Sequence, residues 1–471
     1  MRHKQIHFGT SGWRGLLAYD FTFENVRAAV HAIADYVRRK NPRNPRLLVG
    51  YDTRFLSDEF ARETVDILSS RRLQSLLCQQ PTPTPTIAYE ILRRKTDGGI
   101  NFTASHNPPE YNGLKFSTAD GAPALPEVTR QLEKLAAKHL EKPAAPPSAR
   151  QAGTCEEIDP RPAYLDRLAE IVSVDEIQRA GLKVVFDPLY GTGGGYVDGF
   201  LAARGIEVHT LHAHRDVLFG GHPPEPADDI LEELRQQVGE RGAHLGVSTD
   251  GDADRFGILD RNGTFISANH ILALLLDYLL ETRPDWPRGV ARSVATTHLV
   301  DAVARHHHVA VHETPVGFKY IGELIKQGKI TIGGEESAGL SVYGHVPEKD
   351  GILACLLVAE MVARRQASLG EQLPALFQKV GACYPVRVNL RMEEAARERV
   401  TRRLRRDPKN FNGRAVKDVN RTDGLKLLFA DDSWVLMRLS GTEPVVRCYC
   451  EAHSQPDTAA LVEAAKKFVL E

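Results

Sequence analysis

Apolar residues alternate between helical and strand spacing along the first quarter of this chain, and the same alternation restarts twice further on. Residues 24–40 place Val26, Ala29, Val30, Ile33 and Val37 on one helical face. RLLVGYD (46–52) reads as a buried strand, and 57–72 as a helix capped by Ser57 with acids in its first turn. LQSLLCQ follows as a strand, TPTPT (82–86) as a rigid loop, and 87–95 as a helix. GGINFTAS (98–105) is the next strand, with Ser105 at its carboxyl end. Such a β-α-β-α-β series predicts a mainly parallel sheet that presents ligand-binding groups at the carboxyl ends of its strands.

A Pro/Ala-rich stretch, EKPAAPPSARQAG (141–153), reads as a linker. The pattern then restarts with strand KVVFDPL, a glycine-rich turn GTGGG (191–195), and helix, strand, helix and strand running into VSTDGDADR. A third series opens at a hairpin, DRNG (260–263), and runs to ITIGGEESAG. From about 381 the style changes to two strand pairs and two helices (392–407 and 457–470). With 471 residues the chain exceeds a single core. The expected fold is α/β: three similar domains with mixed, mainly parallel sheets, followed by a C-terminal α+β domain. The expected boundaries are 1–147, 153–256, 257–375 and 380–471.

Formal net charge is −1, so no global field favours nucleic acid or an anionic membrane, and charged ligands must be held by local clusters. Six cysteines without a C-x-x-C pair read as reduced core thiols. The N-terminus has no apolar signal core, and the apolar run 271–280 is short and broken by Asp277. A cytoplasmic protein with no membrane or nucleic-acid partner is expected.

Four short segments carry chemistry. In DGDADR (250–255), Asp250, Asp252 and Asp254 alternate so that three carboxylates can converge on one hard cation. Arg255 and Arg261 stand where a calcium loop needs glycine and glutamate, so Mg²⁺ suits the site better. A solvated acidic turn is the other reading. In RLSGTEPVVR (438–447), Arg438 and Arg447 bracket Ser440, Gly441 and Thr442, which suits an anion cradle or a β-turn with exposed arginines. GGEESAG (333–339) places Glu335, Glu336 and Ser337 after a strand, as a grip for sugar hydroxyls or as an acidic surface turn. TASHNP presents Ser105 and His106. No G-x-x-x-x-G-K-[ST] occurs, so no P-loop is present. GTGGG reads as a tight turn, His306–His308 as a solvated trio at a helix end, and His209, His212 and His214 as structural residues without an evident carboxylate partner.

TASHNP, DGDADR, GEESAG and RLSGTEP, in this order and roughly evenly spaced, closely resemble the four active-site loops of the α-D-phosphohexomutase family. GTSGWRG (9–15) and YNGLK (111–115) match as well, so the resemblance spans essentially the whole chain. It implies four domains around a central cleft, with one motif from each. It also implies that Ser105 carries a phosphoryl group and exchanges it with a sugar monophosphate through a hexose 1,6-bisphosphate, which also serves as primer. Mg²⁺ would sit on Asp250, Asp252, Asp254 and a phosphoserine oxygen of Ser105, with Arg14 and Arg255 adding positive charge. Lys115 matches a position to which general-base duty is ascribed; stabilising phosphate charge is the other role open to it. His106 would move a proton or orient the phosphoserine. Glu335 and Ser337 would bind the sugar's 3- and 4-hydroxyls, Lys319 would contact substrate, and Arg438, Ser440, Gly441, Thr442 and Arg447 would hold the non-transferring phosphate. Small sugar phosphates are the implied partners, and a monomer or homodimer the expected state.

Within the family, glucosamine-phosphate mutases typically read GEQSGH, whereas GEESAG lies closer to glucose and glucose/mannose enzymes. Ala338 replaces a frequent glycine there, and Phe318 stands where dual-specificity members can carry histidine. The expected reaction is phosphoglucomutase, with mannose as a second sugar. Phosphoglucosamine mutase is the alternative, and a metal-dependent phosphatase with Asp250 or Asp252 as nucleophile a more distant one.

Overall fold

A computed structural model describes residues 6–142, 155–440 and 445–470. The Pro/Ala-rich linker, Gly441 and Thr442 therefore lie outside the described residues, apart from the linker's first two positions.

The first unit contains β1 (Trp13–Leu16), α1 (Phe23–Lys40), β2 (Arg46–Tyr51), α2 (Ser57–Ser70) and β3 (Gln74–Cys78). It continues with α3 (Thr84–Arg94), β4 (Gly98–Phe102), β5 (Tyr111–Thr118) and α4 (Pro126–Glu141), and β6 (Cys155–Ile158) joins its sheet. Strand order is β1-β5-β4-β2-β3-β6, parallel from β4 to β6 and antiparallel at β5 and β1. The expected apolar face of α1 is buried throughout. Two local expectations are corrected. Ser57 does not cap α2: Leu56, at φ +63°, holds that place, and the Ser57 hydroxyl donates to Asp52 Oδ1 at 2.8 Å. TPTPT is not a loop throughout, because α3 opens at Thr84 with Pro85 in its first turn, where a missing N–H costs nothing.

The second unit runs α5 (Arg161–Ile171), α6 (Val174–Arg179), β7 (Lys183–Asp187), α7 (Val197–Ala202), β8 (Glu207–Thr210), α8 (Glu232–Glu240), β9 (Leu245–Thr249) and β10 (Phe256–Asp260). Its sheet is ordered β10-β9-β7-β8, with only β10 antiparallel. This sheet therefore continues to Asp260, past the expected boundary at 256.

The third unit runs α9 (Ala268–Thr282), β11 (Gly289–Ser293), α10 (Leu299–His306), β12 (Ala310–Thr314), α11 (Phe318–Lys326), β13 (Ile332–Glu335), β14 (Gly339–Val342), α12 (Gly351–Arg365) and α13 (Leu369–Val380). Its order, β12-β11-β13-β14 with β14 antiparallel, repeats the plan of the second unit. Helices α12 and α13 were not among the expected elements. Every residue of α12 from Gly351 to Ala363 is buried, as befits a helix apolar on every side but for Glu360, whose carboxylate meets Arg283 at 2.7 Å. It lies in one continuous core that extends from Tyr164 to Cys383 across the second and third units. The first unit packs around a separate core.

The C-terminal unit contains β15 (Tyr384–Arg391), α14 (Glu394–Leu404), β16 (Asn410–Phe411), β17 (Arg414–Asn420), β18 (Leu425–Phe429), β19 (Trp434–Leu439), β20 (Val445–Ala452) and α15 (Gln455–Leu470). The two expected strand pairs belong to a six-stranded antiparallel sheet, β15-β20-β19-β18-β17-β16. Its own core is joined to the third unit by a small cluster of Val294, Ala295, Trp434, Leu436 and Tyr449.

The histidines also differ from expectation. His307 is not solvated: its Nε2 lies 2.7 Å from buried Asp277, which Arg365 and Lys379 also contact at 2.8 and 3.2 Å. His212 does have carboxylate partners, Asp187 at 3.0 Å and Glu233 at 3.2 Å. Five cysteines are buried, but Cys155 is exposed. No described helix is long and apolar enough to cross a membrane.

Candidate active site

All four motifs occupy one kind of place: each lies at or within the link of an antiparallel strand pair. TASHNP joins β4 to β5, DGDADR joins β9 to β10, GEESAG spans β13 to β14, and RLSGTEP spans β19 to β20. In the first three, a non-glycine residue takes the left-handed conformation: Ser105 at φ +52°, Ala253 at +55° and Ala338 at +67°. Side chains other than glycine seldom go there without support from their surroundings. It also explains why glycine suits the position of Ala338.

Ser105 is buried, and its Oγ donates to Asp250 Oδ2 at 2.7 Å. His106 Nδ1 stands 3.3 Å from the same serine oxygen. Burial, and next the charges of Arg255 and Arg14, push the imidazole well below its ordinary pKa and so favour the neutral ring. Arg14 donates to Asn107 Oδ1 at 2.5 Å, and Arg255 pairs with Glu225 at 3.2 Å.

Asp250, Asp252 and Asp254 are completely buried, and each offers a carboxylate oxygen within 4.8 Å of the others. The solvated acidic turn is thereby set aside. Asp252 Oδ2 accepts from Lys115 Nζ at 2.5 Å and from the Thr84 hydroxyl, and Asp254 Oδ2 accepts from Lys115 at 2.7 Å and Lys349 at 2.6 Å. The other oxygen of each, Oδ1, is buried without a hydrogen-bond partner. Such an orphan is costly unless something else satisfies it, and a hard dication bound by carboxylates does so. Burial, then the charges of Asp254 and Asp252, raise the pKa of Asp250 well above the carboxylate range. A divalent ion relieves that crowding, so the donor set fits Mg²⁺.

Burial alone would depress Lys115, but Asp252 and Asp254 outweigh it and hold the ammonium above its ordinary pKa. In this arrangement Lys115 is a cation between two carboxylates, the opposite of what a lysine base needs.

Glycines let the backbones close around this loop. A Cβ on Gly251 would lie 2.6 Å from the Ser105 carbonyl oxygen, and one on Gly191 of the GTGGG turn 2.8 Å from Gly251 itself. GTGGG is a tight turn, as expected, and it buttresses the acidic loop from behind.

On the sugar loop, Glu335 is buried and its Oε1 accepts from Gly317 N at 2.7 Å, while Glu336 accepts from Ser293 at 3.0 Å. Burial, with Glu336 beside it, pushes Glu335 up to about 7. Ser337 is half-buried at the hairpin tip. Lys319, at the start of α11, is depressed by burial and feels Glu335. On the C-terminal sheet Arg438 and Arg447 are direct cross-strand partners. Like charges so placed repel, and Asp423, 3.1 Å from Arg438, offsets that repulsion on one side. Ser440 is buried beside them.

Three residues of this cluster were not expected. Lys349 follows the sugar hairpin in GHVPEKDG, two positions before α12 opens, among residues that read as an ordinary turn. Thr84 reaches Asp252 from α3 of another unit. Arg54 supports the Ser105 loop from GYDTR and carried no visible sign.

Comparison with known proteins agrees with this construction. Models of the phosphoglucomutase/phosphomannomutase α/β/α domains I, II and III match residues 5–142, 162–263 and 267–380, and that of the C-terminal domain matches 388–467. A phosphoglucomutase/phosphomannomutase of Thermococcus kodakarensis is 30% identical over 469 residues, covering 98% of both chains. The chain belongs to the phosphoglucomutase/phosphomannomutase family, within the α-D-phosphohexomutases. A probable phosphoglucosamine mutase of Methanosphaera stadtmanae is equally similar, 30% identical with 98% of each chain covered. Among solved structures, a putative phosphomannomutase from Thermus thermophilus is 33% identical, with a TM-score of 0.86 and 99% of both chains covered. As a family member the chain is an enzyme, a phosphohexomutase of the intramolecular phosphotransferase class.

Proposed function

We propose that this phosphohexomutase interconverts hexose 1-phosphate and hexose 6-phosphate, with glucose as principal sugar and mannose as a second, by way of phosphorylated Ser105. The observation that carries the reading is the Ser105 hydroxyl 2.7 Å from Asp250, in a trio whose Asp252 and Asp254 each keep one buried oxygen unpartnered.

In the forward half-reaction a sugar hydroxyl oxygen bonds to phosphorus as the bond from phosphorus to Ser105 Oγ breaks. The hexose 1,6-bisphosphate formed turns over in the cleft, and its other phosphate returns to Ser105. The same bisphosphate primes an unphosphorylated chain. Asp250, Asp252, Asp254 and a phosphoserine oxygen would hold Mg²⁺, which would supply charge neutralisation to the transferring group. Arg14 and Arg255 add positive charge, and Lys115 balances the aspartates. His106, with a ring nitrogen 3.3 Å from Ser105 Oγ, is placed to take the proton of the attacking hydroxyl. Glu335 and Ser337 accept and donate to the sugar 3- and 4-hydroxyls, and Lys319 flanks them. Arg438, Ser440, Gly441, Thr442 and Arg447 hold the phosphate that is not being transferred.

The sugar loop supports glucose. Phosphoglucosamine mutase is the second reading, favoured by the equally similar Methanosphaera relative. The test compares kcat/KM for glucose, mannose and glucosamine 1-phosphates with glucose 1,6-bisphosphate as primer. Glucose should lead; a clear glucosamine preference overturns the assignment. For the phosphocarrier, intact mass of the fresh protein should show a fraction heavier by one phosphoryl group on the peptide 101–115. Phosphate found only elsewhere refutes the role of Ser105.

A further inference from the structure

The backbone that carries Ser105 is held by one side chain from outside its own loop. Arg54 is wholly buried between β2 and α2, and its guanidinium satisfies four carbonyls of the Ser105 loop. Nη2 donates to Ser105 O at 2.6 Å and Asn107 O at 2.5 Å, and Nη1 to Pro108 O at 2.8 Å and Tyr111 O at 3.0 Å. Asp52 aims the group: its Oδ2 lies 3.2 Å from Arg54 Nε, while its Oδ1 accepts from Arg54 N at 2.9 Å. Buried carbonyls must find donors, and only the rigid multi-donor fork of arginine spans four of them at once.

The second unit grips this device from behind. Arg215 Nε donates to Thr53 O and its Nη2 to Arg54 O, both at 3.0 Å, and Phe219 lies under the Arg54 guanidinium at 4.9 Å. Both belong to the segment between β8 and α8, in the unit that also supplies Asp250. The unit bearing the acidic loop thus presses on Ser105 from two sides, through Gly251 at its carbonyl oxygen and through Arg54.

We propose that Arg54 is the positioning residue that keeps Ser105 in its left-handed conformation, aimed at the acidic trio, and that Arg215 latches Arg54 to the second unit. The proposal rests on the reading of Ser105 as phosphocarrier. A role confined to stability would change how much protein is competent; a positioning role changes how fast each competent molecule reacts.

The test follows phosphorylation of Ser105 in the full chain. Wild type, Arg54→Lys and Arg215→Ala are stripped of phosphate with excess glucose 6-phosphate, mixed with glucose 1,6-bisphosphate and Mg²⁺, quenched, and read by intact mass. A wild type that gains no phosphate at Ser105 overturns the phosphocarrier reading and this proposal with it. Given a wild type that does, Arg54→Lys should react about 10²-fold more slowly per molecule, with the half-saturating bisphosphate concentration little changed. Reduced stoichiometry at the wild-type rate constant shows a merely structural role and overturns the proposal. If Arg54→Lys does not stay folded, the part-exposed Arg215 decides. A rate constant about 3–10-fold lower in Arg215→Ala supports the latch, and an unchanged one overturns the proposal.

Discussion

Ser105 and Asp250 stand 145 positions apart in sequence, yet the serine hydroxyl donates to the aspartate carboxylate at 2.7 Å. One unit contributes the hydroxyl and another the acid. Ser105→Ala should remove phosphorylation of the 101–115 peptide and lower turnover by at least about 10³-fold, while circular dichroism stays that of the wild type. Retained turnover would show that the phosphate passes through another group.

Lys115 bridges Asp252 and Asp254, all three buried. Lys115→Met leaves those carboxylates short of a cation, a loss of about 3–5 kcal/mol for a broken buried ion pair. Saturating Mg²⁺ should restore part of the fall in Tm, because the same carboxylates then face a dication. A Tm indifferent to Mg²⁺ in both proteins would deny the metal site.

Glu335 is pushed up to about 7 by burial and by Glu336, above a carboxylate's ordinary value of roughly 4.3. Between those values the folded chain binds more proton than the unfolded one, so this group lowers stability as pH rises through the window. Its ionised form is the better acceptor for sugar hydroxyls. kcat/KM for the sugar phosphate should therefore climb through pH 7, and Glu335→Gln should flatten that limb.

Lys426 is buried where the C-terminal unit meets the third, donating to Val294 O at 2.8 Å beside His298 and over the Trp434 ring. Burial, then the charge of Arg292, lowers it to about 8. The folded chain thus holds fewer protons than the unfolded one between about 8 and 10.4, and the lysine's contribution to stability rises with pH across that range. The Tm difference between wild type and Lys426→Met should move accordingly in scans from pH 7.5 to 10; a pH-independent difference would exclude the effect.

Gly251 leaves no room for a Cβ, which would meet the Ser105 carbonyl oxygen at 2.6 Å. Gly251→Ala should cost on the order of 10²-fold in kcat by displacing Ser105, with the far-UV spectrum unchanged.

The sequence showed the strand-to-loop transitions because buried strands are apolar runs and the site loops interrupt them with polar residues. Ser105, the aspartate trio and Glu335 were legible for that reason. Arg54, Thr84 and Lys349 were not, since each acts on a loop far away in sequence and sits among residues that read as ordinary turns. The C-terminal strands are hard to count from sequence because β15 and β17 break their apolar pattern with exposed charges, Arg387 and Arg391 on one, Lys417 and Asp418 on the other. Helix α12 gives no helical period because Glu360 is the lone polar residue between Gly351 and Ala363; periodicity is a weak guide where no face is polar.

The core that runs unbroken through α12 has a mechanical consequence. The chain has four units by topology but three bodies by packing, because the second and third are fused through a shared interior and cannot slide without exposing it. Opening of the cleft falls to the C-terminal unit, which has its own interior and is tethered by a five-residue apolar patch and buried polar contacts such as that of Lys426, because the first unit is latched to the second through Arg215. The acidic loop and the sugar grip therefore ride together as a fixed floor. The arginine pair, carried on the C-terminal unit, is the wall free to part from it.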